Sequence, residues 1–103
     1  MSAGMALFVV MNEQGPSWDP SRPMREQKGW PEHAAFMNAL VDEGVVVLGG
    51  PLQGGPRHRA MLILRAPDEA TLRMRLAEDP WMRTEILRLG ELVPWELLLG
   101  DLP

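Results

Sequence analysis

The segment from Trp30 to Leu52 constrains the fold more than any other part of the sequence. Pro31 suits the first helical position, where its missing N–H costs nothing, and Gly44 suits the left-handed position that ends a helix. Between them, residues recur at helical spacing in one stripe: His33, Phe36, Met37, Leu40, Val41 and Gly44. The chain then enters Val45–Leu48, a run of strand formers. We predict a helix followed at once by a strand, with His33 as the polar member of the buried stripe.

Apolar runs on either side of this segment predict the remaining strands. Leu7–Met11 is rich in strand formers, and so is Arg59–Leu64, which follows the turn residues after Val45–Leu48 and completes a hairpin with that run. Leu92–Leu99 is the last apolar run. Because Pro94 cannot donate to a ladder, this last strand belongs on a sheet edge or at a bulge.

Proline and glycine mark the other boundaries. Pro67 stands where a second helix should begin, and Asp79-Pro80 stops that helix and starts a short new turn. The segment Asn12–Gly29 is broken by prolines and glycines, and we interpret it as a long loop that acts as a lid. The stretch Gly49–Gly55 lacks the Lys-Ser/Thr of a phosphate loop and leads into a strand. We therefore interpret it as a strand end and a hairpin turn.

The predicted element order, βαββαβ, is typical of an α+β fold of the ferredoxin-like type, an antiparallel sheet with its helices on one face. The strands are apolar on both sides, although two helices cover only one face of such a sheet. A soluble monomer does not tolerate a bare apolar face of that size. We therefore predict a homodimer in which two copies pack through their sheet faces and enclose a barrel-like interior.

Length and composition exclude several classes of protein. With 103 residues, the chain is expected to form a single domain, residues 1–103. The formal net charge of −4, with basic residues scattered among acids, argues against a nucleic-acid partner. The amino terminus lacks the basic start of a signal peptide, and its apolar run is far short of the ~20 residues that span a bilayer. We expect a cytoplasmic protein with no membrane partner.

The side chains available for chemistry are few. Cysteine and tyrosine are absent, and Ser2, Ser17 and Ser21 lie outside any nucleophile-elbow or triad pattern. His33 and His58 are the only histidines and lack the spacing of metal ligands, so we expect no metal and no cofactor. Proton transfer by histidine and carboxylate is the chemistry that remains.

Short motifs along nearly the whole chain resemble those of one known family. They are Trp30-Pro31-Glu32-His33 leading to Gly44, then Gly49-Gly50-Pro51-Leu52, then Asp79-Pro80-Trp81, and last Val93-Pro94-Trp95. Their order and spacing resemble the YCII-related (YciI-like) family, which implies a dimeric α/β barrel of ferredoxin-like subunits. The resemblance also implies an active site in which His33 faces Asp79. Most of that family has no assigned reaction, although a member acting in chlorinated aromatic breakdown is taken to eliminate chloride with this pair.

Two interpretations of His33 and Asp79 remain open. In the first, His33 is a general base and acid and Asp79 orients its ring, in an enzyme that carries out isomerisation, elimination or lyase chemistry on a small cyclic or aromatic substrate. In the second, His33 is a core histidine bonded to a backbone carbonyl, and Asp79 only caps the turn that follows it. The second interpretation fits a non-catalytic metabolite-binding or accessory dimer, or a purely structural assembly module.

Residues beside this pair are candidates for binding a small-molecule substrate: Trp18, Arg25, Trp30, Gly50, Pro51 and Trp81. The tryptophans suit an aromatic or lactone-like ligand, with plain packing as the alternative. The arginine suits a substrate carboxylate, with a solvated loop position as the alternative. The glycine and the proline belong to the motifs that carry the resemblance. We interpret His58, which lies between two arginines, as a surface residue.

Overall fold

Strands and helices alternate along the chain in a computed structural model that describes residues 4–103. The elements are β1 (Ala6–Gln14), α1 (Trp30–Asp42), β2 (Val46–Pro51), β3 (Arg59–Ala66), α2 (Glu69–Leu76), α3 (Pro80–Arg83) and β4 (Leu87–Trp95). All strand pairs are antiparallel, and the order across the sheet is β2-β3-β1-β4. The predicted α+β, ferredoxin-like fold is confirmed. Within residues 4–103, no helix combines the length and the apolar character needed to cross a membrane.

Helix α1 carries the end signals that the sequence predicts. Pro31 lies in its first turn, one residue after the helix begins. After the helix, Gly44 adopts a left-handed conformation with φ 77°. Within the predicted buried stripe, His33 and Leu40 are indeed buried. Val41 is not buried, since 53% of this residue is exposed.

Aspartates cap the two shorter helices. Asp68 accepts a hydrogen bond from a backbone N–H in the first turn of α2, so Pro67 lies outside this helix and its predicted position at the helix start is wrong. Asp79 accepts a hydrogen bond from the backbone N–H of Trp81 at 2.9 Å. Pro80 is the first residue of α3, as its place after an N-cap aspartate predicts.

Strand β1 is longer than predicted, and the long loop is shorter. The predicted loop Asn12–Gly29 begins instead at Gly15, because residues 12–14 pair with β4 and residues 12 and 13 also pair with β3. Strand β2 likewise continues through Gly49–Pro51, which pair with residues 60–62, so the predicted strand Val45–Leu48 ends too early. An edge strand tolerates a proline, and β2 lies at one edge of the sheet.

The last strand lies earlier in the chain than predicted. The predicted strand Leu92–Leu99 is wrong at both ends, because β4 starts at Leu87 and ends at Trp95. The first three residues, Leu87, Arg88 and Leu89, are not a continuous apolar run, but all three pair with β1 and are therefore part of the strand. Strand β4 lies at the second edge of the sheet, so the predicted edge position of Pro94 is confirmed.

Two apolar clusters hold the layers together. The main core joins the inner face of the sheet to α1 and α2 and consists of Phe8, Val10, Leu40, Val46, Leu62, Leu64, Ala66, Leu72, Leu76 and Leu92. A smaller cluster of Trp81, Ile86 and Leu87 joins α3 to the start of β4. Trp18 and Met24, from the long loop, pack on this smaller cluster. Apolar burial therefore anchors the loop on α3 and β4.

The outer face of the sheet is apolar and has no helix packed on it within residues 4–103. Strand register aligns four of its residues in one row across the sheet: Leu48, Ile63, Val9 and Val93. Leu48 is 47% exposed and Val93 is 43% exposed. Met61 and Trp95 add further exposed apolar area on the same face. We call these six residues the outer face.

Candidate active site

His33 lies in the first turn of α1 and faces the N-terminus of α3. Its Nδ1 lies 2.9 Å from both side-chain oxygens of Asp79, a residue 46 positions away in the sequence. An ionised carboxylate offers only acceptors, so the Nδ1–H donates to it. Asp79 is 2% exposed, and its bond to His33 is therefore shielded from water.

Asp79 forms a second hydrogen bond besides the one with the His33 imidazole. Its Oδ1 also accepts the backbone N–H of Trp81, which is the N-cap bond of α3. One carboxylate thus positions both the helix and the His33 ring. The interpretation of His33 as bonded to a backbone carbonyl is wrong, whereas the interpretation of Asp79 as a cap describes one of its two contacts.

The Trp81 ring packs on one face of the His33 imidazole. The Trp81 ring stacks on His33 with ring centroids 4.0 Å apart and 6° between the planes. The indole itself is fixed, because its Nε1–H donates to the backbone carbonyl of Lys28 at 2.8 Å. Trp30 packs against both rings, and its ring centroid lies 5.8 Å from that of His33 and 5.6 Å from that of Trp81. A carboxylate at its edge and an indole on its face therefore set the orientation of His33.

The second ring nitrogen of His33, Nε2, is available to a ligand. Within residues 4–103, no protein group forms a hydrogen bond with this atom, and it is not one of the fully buried atoms that lack a partner. His33 lines a cavity of about 500 Å³ between α1, β2 and the inner face of the sheet. A volume of this size suits a small-molecule ligand. In the described part of the chain, no three His, Asp or Glu side chains are grouped to hold a metal ion.

Most of the predicted binding residues line this cavity: Arg25, Trp30, Gly50, Pro51 and Trp81. The rest of the wall is largely apolar. No acidic side chain of residues 4–103 lines it, and Arg25 is its one permanently charged group. The Arg25 guanidinium carbon lies 5.8 Å from the centroid of the Trp30 ring. The wall therefore disfavours a cationic ligand.

Trp18 and His58 form a stacked pair at one side of the cavity. Trp18 does not line the cavity, contrary to its place among the predicted pocket residues. It stacks instead on His58, with ring centroids 4.4 Å apart and 11° between the planes. His58 does line the cavity and is half-buried, so its interpretation as a surface residue is wrong. The neighbouring arginines indicated solvent, but the long loop brings Trp18 over this histidine.

The surroundings of His58 change its acid–base behaviour. Burial, and secondly the charge of His33, lower the pKa of His58 below its ordinary value of 6.5. No local sequence signal marks this residue, since its burial depends on a tryptophan from a distant loop.

Asn12 is a second cavity residue that the sequence reasoning missed, because it fell within the predicted loop. It lies on the inner face of β1 and is 4% exposed. Its Oδ1 is buried and has no hydrogen-bond partner within residues 4–103. A signal for this residue was present in the sequence: Phe8, Val10 and Asn12 are alternate residues, so a strand that continues through position 12 places Asn12 on the same buried face as Phe8 and Val10.

The loop of residues 15–29 covers one end of the cavity. Gln27, which is 3% exposed, holds the loop together. Its Nε2 donates to the backbone carbonyls of Asp19 at 2.7 Å and Arg22 at 2.8 Å, and its Oε1 accepts the Asp19 N–H at 2.9 Å. Met24 and Arg25, from a short 3-10 helix in this loop, reach the cavity wall. The cover is therefore an ordered segment with its own hydrogen bonds.

Comparisons with known proteins show a likeness at the level of the fold. No family model and no curated protein matches the chain. Among solved structures, the chain is similar to 5-chloro-2-hydroxyhydroquinone dehydrochlorinase (TftG) from Burkholderia phenoliruptrix AC1100, in complex with 2,5-dihydroxybenzoquinone. The sequences are 18% identical, the TM-score is 0.55, and the alignment covers 91% of this chain and 95% of that chain. At this identity, the likeness shows that the two chains share a fold.

Proposed function

We propose that this chain is a small cofactor-free enzyme that transfers a proton on a small cyclic or aromatic substrate bound in the cavity. His33 is the general base and acid, and Asp79 is its partner. Trp30, Trp81, Gly50, Pro51 and Arg25 form the substrate-binding wall, and Trp18 supports it through His58.

One observation carries this proposal. Asp79 forms a hydrogen bond with Nδ1 of His33, whereas Nε2 forms none within residues 4–103 and His33 lines the cavity. A carboxylate that accepts from Nδ1–H selects the tautomer in which Nε2 has a lone pair. A fixed base beside a cavity with a largely apolar wall is an arrangement that suits general base catalysis.

The reaction follows from this geometry. Nε2 of His33 takes a proton from a carbon or hydroxyl of the bound ring, and the buried Asp79 carboxylate stabilises the imidazolium that forms. In an elimination, the electron pair left on the substrate forms a new double bond and a leaving group such as chloride departs. In an isomerisation, the electron pair shifts along the ring and His33 returns the proton to another atom. Both outcomes use the same two side chains.

The structural neighbour supports a ring substrate. Its name describes a dehydrochlorinase of a chlorinated hydroxyhydroquinone, and its bound molecule is a dihydroxybenzoquinone. The aromatic and apolar wall around His33 suits a ring of that size. A dehydrochlorinase or related lyase is therefore the most concrete form of the proposal.

The sequence motifs, the shared fold and the exposed outer face also support a family and an assembly for this chain. The motifs around His33, Gly50, Asp79 and Trp95, together with the shared fold, favour membership of the YCII-related family. The exposed outer face favours a homodimer in which two copies pack sheet to sheet and enclose a barrel.

A non-catalytic, metabolite-binding or accessory dimer is the second candidate. The N-cap bond from Trp81 to Asp79 favours it, because a capping role by itself accounts for an aspartate before a proline. In this candidate the cavity binds a ring compound and no proton moves.

Proton exchange in deuterated water separates the two candidates. The purified protein is incubated with a panel of hydroxylated, chlorinated and lactone ring compounds, and deuterium incorporation and chloride release are followed by NMR and ion analysis. We expect at least one compound to react, and His33→Gln to lower the rate by about 100-fold or more, because general base catalysis contributes about that much. Glu32→Gln, at the exposed neighbouring position of α1, is the matched control and should keep the rate.

An unchanged rate in His33→Gln contradicts the catalytic role of His33. Binding of a panel compound in the cavity without exchange or release favours the accessory candidate instead.

A further inference from the structure

The charged side chains around the cavity are unevenly distributed. The chain as a whole is acidic, with a formal net charge of −4. Among residues 4–103, however, the side chains that line the cavity include one arginine, Arg25, and no aspartate or glutamate. The one permanent charge on the cavity wall is thus positive in a chain whose net charge is negative.

The acidic residues nearest to Arg25 in the sequence line other depressions of the surface. Asp19 and Glu26 line one that also contains Arg22, and the Asp19 carboxylate lies 3.5 Å from the Arg22 guanidinium. Glu32 lines another depression, beside Lys28. Carboxylates that are close to Arg25 in the chain therefore do not enter the cavity that Arg25 lines.

Arg25 is accessible to a ligand. It lies in the short 3-10 helix Met24–Glu26 of the loop, and it is exposed while also lining the cavity. It therefore lies where the cavity opens to solvent. Within residues 4–103, its guanidinium forms no ion pair and no hydrogen bond. Its N–H donors remain for water or for a ligand.

Trp30 is a shared neighbour of Arg25 and His33. The centroid of the indole lies 5.8 Å from the Arg25 guanidinium carbon and also 5.8 Å from the centroid of the His33 ring. The guanidinium and the imidazole are therefore no more than two such distances apart, and both groups line the same cavity of about 500 Å³. A ring with one acidic substituent can contact both groups at once.

We propose that the substrate is a ring compound that carries a carboxylate, and that Arg25 is the residue that binds this carboxylate. This inference rests on the proposed function, in which a ring compound occupies the cavity beside His33. The guanidinium N–H groups donate to the carboxylate oxygens, a geometry for which the arginine fork is suited. The ring then packs along Trp30, and its carbon atoms remain available to His33 for elimination or isomerisation.

A carboxylate fits Arg25 better than a neutral or a cationic group. A carboxylic acid has an ordinary pKa of about 4 and is ionised at neutral pH, whereas a phenol, with an ordinary pKa of about 10, keeps its proton and brings no charge to the arginine. An ammonium group would meet Arg25 as a like charge, with no acidic side chain of the described residues on the wall to bind it. Because Arg25 is exposed, a carboxylate bound there also keeps part of its hydration.

Benzoate and benzamide test this inference, because they have nearly the same shape and differ in charge. Binding of each probe is measured at neutral pH by two-dimensional NMR titration in the wild type, in Arg25→Gln and in Arg22→Gln. We expect benzoate to bind roughly tenfold more tightly than benzamide in the wild type, as a charge-assisted hydrogen bond at an exposed position allows. Arg25→Gln should bring the ratio close to one. Arg22→Gln, which removes the same charge from the same loop outside the cavity, should leave the ratio unchanged.

His33→Gln examines a second source of positive charge. A protonated His33 would also attract benzoate, and the preference would then disappear in His33→Gln and persist in Arg25→Gln. We expect the opposite, a preference that His33→Gln retains. Thermal unfolding accompanies these titrations, and because Arg25 and Arg22 are exposed, both glutamine variants should unfold close to the wild-type Tm. A ratio that falls at unchanged Tm reports the missing charge.

The outcomes separate this inference from the proposed function. A benzoate preference that persists in Arg25→Gln, that is lost equally in Arg22→Gln, or that is absent from the wild type overturns the role of Arg25 and leaves a ring-binding cavity in place. Failure of both probes to perturb cavity resonances overturns this inference together with the proposed function.

Discussion

At the scale of single residues, the site is organised by side chains that restrain one another. His33 is held by Asp79 at 2.9 Å and by the stacked Trp81 ring at 4.0 Å. Each of these partners has a second contact: Asp79 caps α3, and Trp81 donates to the Lys28 carbonyl. A histidine so restrained keeps one orientation before any ligand arrives, which is the preorganisation that proton transfer requires.

The lowered pKa of His58 predicts how stability depends on pH. Because burial and the charge of His33 lower this pKa in the folded protein, the unfolded chain binds the proton more tightly. The contribution of His58 is complete above the ordinary value of 6.5 and is lost as the pH falls through the lower folded value. The free energy of unfolding of the wild type should therefore fall with decreasing pH in this range.

Urea unfolding at a series of pH values checks this expectation. His58→Phe removes the titrating group and keeps the stack on Trp18, so its stability should depend less on pH than that of the wild type. Identical pH dependence in both proteins would contradict the assignment.

At the scale of elements, the loop of residues 15–29 connects β1 to α1 and completes the cavity. Its packing on the cluster of Trp81 and Ile86 is apolar, while Gln27 supplies hydrogen bonds within the loop. Apolar packing therefore attaches the loop to α3 and β4, and the hydrogen bonds of Gln27 hold its backbone together. We propose that it acts as a lid that closes on a bound ligand.

Gln27→Ala tests the role of this side chain. The change removes three hydrogen bonds and leaves backbone groups of Asp19 and Arg22 without their partner, so we expect a loss of about 2 kcal/mol in the free energy of unfolding. Urea unfolding measures this loss, and hydrogen exchange of residues 16–28 should become faster. Gln53→Ala, at an exposed turn position, is the control and should change stability by less than about 0.5 kcal/mol.

At the scale of the whole molecule, the outer face is an apolar surface on which no helix of residues 4–103 packs. Helices cover the inner face of the sheet, while a row of apolar residues crosses all four strands on the other side. Sheet-to-sheet packing of two copies would bury this row, and its curvature would enclose a space between the sheets. The proposed dimer thus follows from the apolar residues on the outer side of the strands, just as the core follows from those on the inner side.

Val93→Glu tests the proposed dimer. A charge on the outer face would have to be buried without a partner, so we expect this variant to sediment as a monomer while the wild type sediments at twice the mass of one chain. Met74→Glu, on the exposed side of α2 at 73% exposure, should leave the dimer intact. A wild-type protein that is monomeric at micromolar concentration would overturn the proposal.

Much of the fold was predictable because its signals are local. Pro31 and Gly44 mark the ends of α1, Asp79 and Pro80 start α3, and the apolar runs mark the strands. Strand limits were less predictable, because hydrogen bonding with a neighbour extends β1 and β2 over residues whose own composition favours loops and turns.

The element order, the position of His33 on the buried side of α1 and the apolar character of both sheet faces can be read from the chain alone, because spacing and capping act over a few neighbouring residues. Three features depend on packing: Asp79 meets His33 across 46 positions, Trp18 covers His58, and the Oδ1 of Asn12 has no hydrogen-bond partner among residues 4–103. Those contacts depend on how distant elements pack, and no short-range pattern encodes the distance between them.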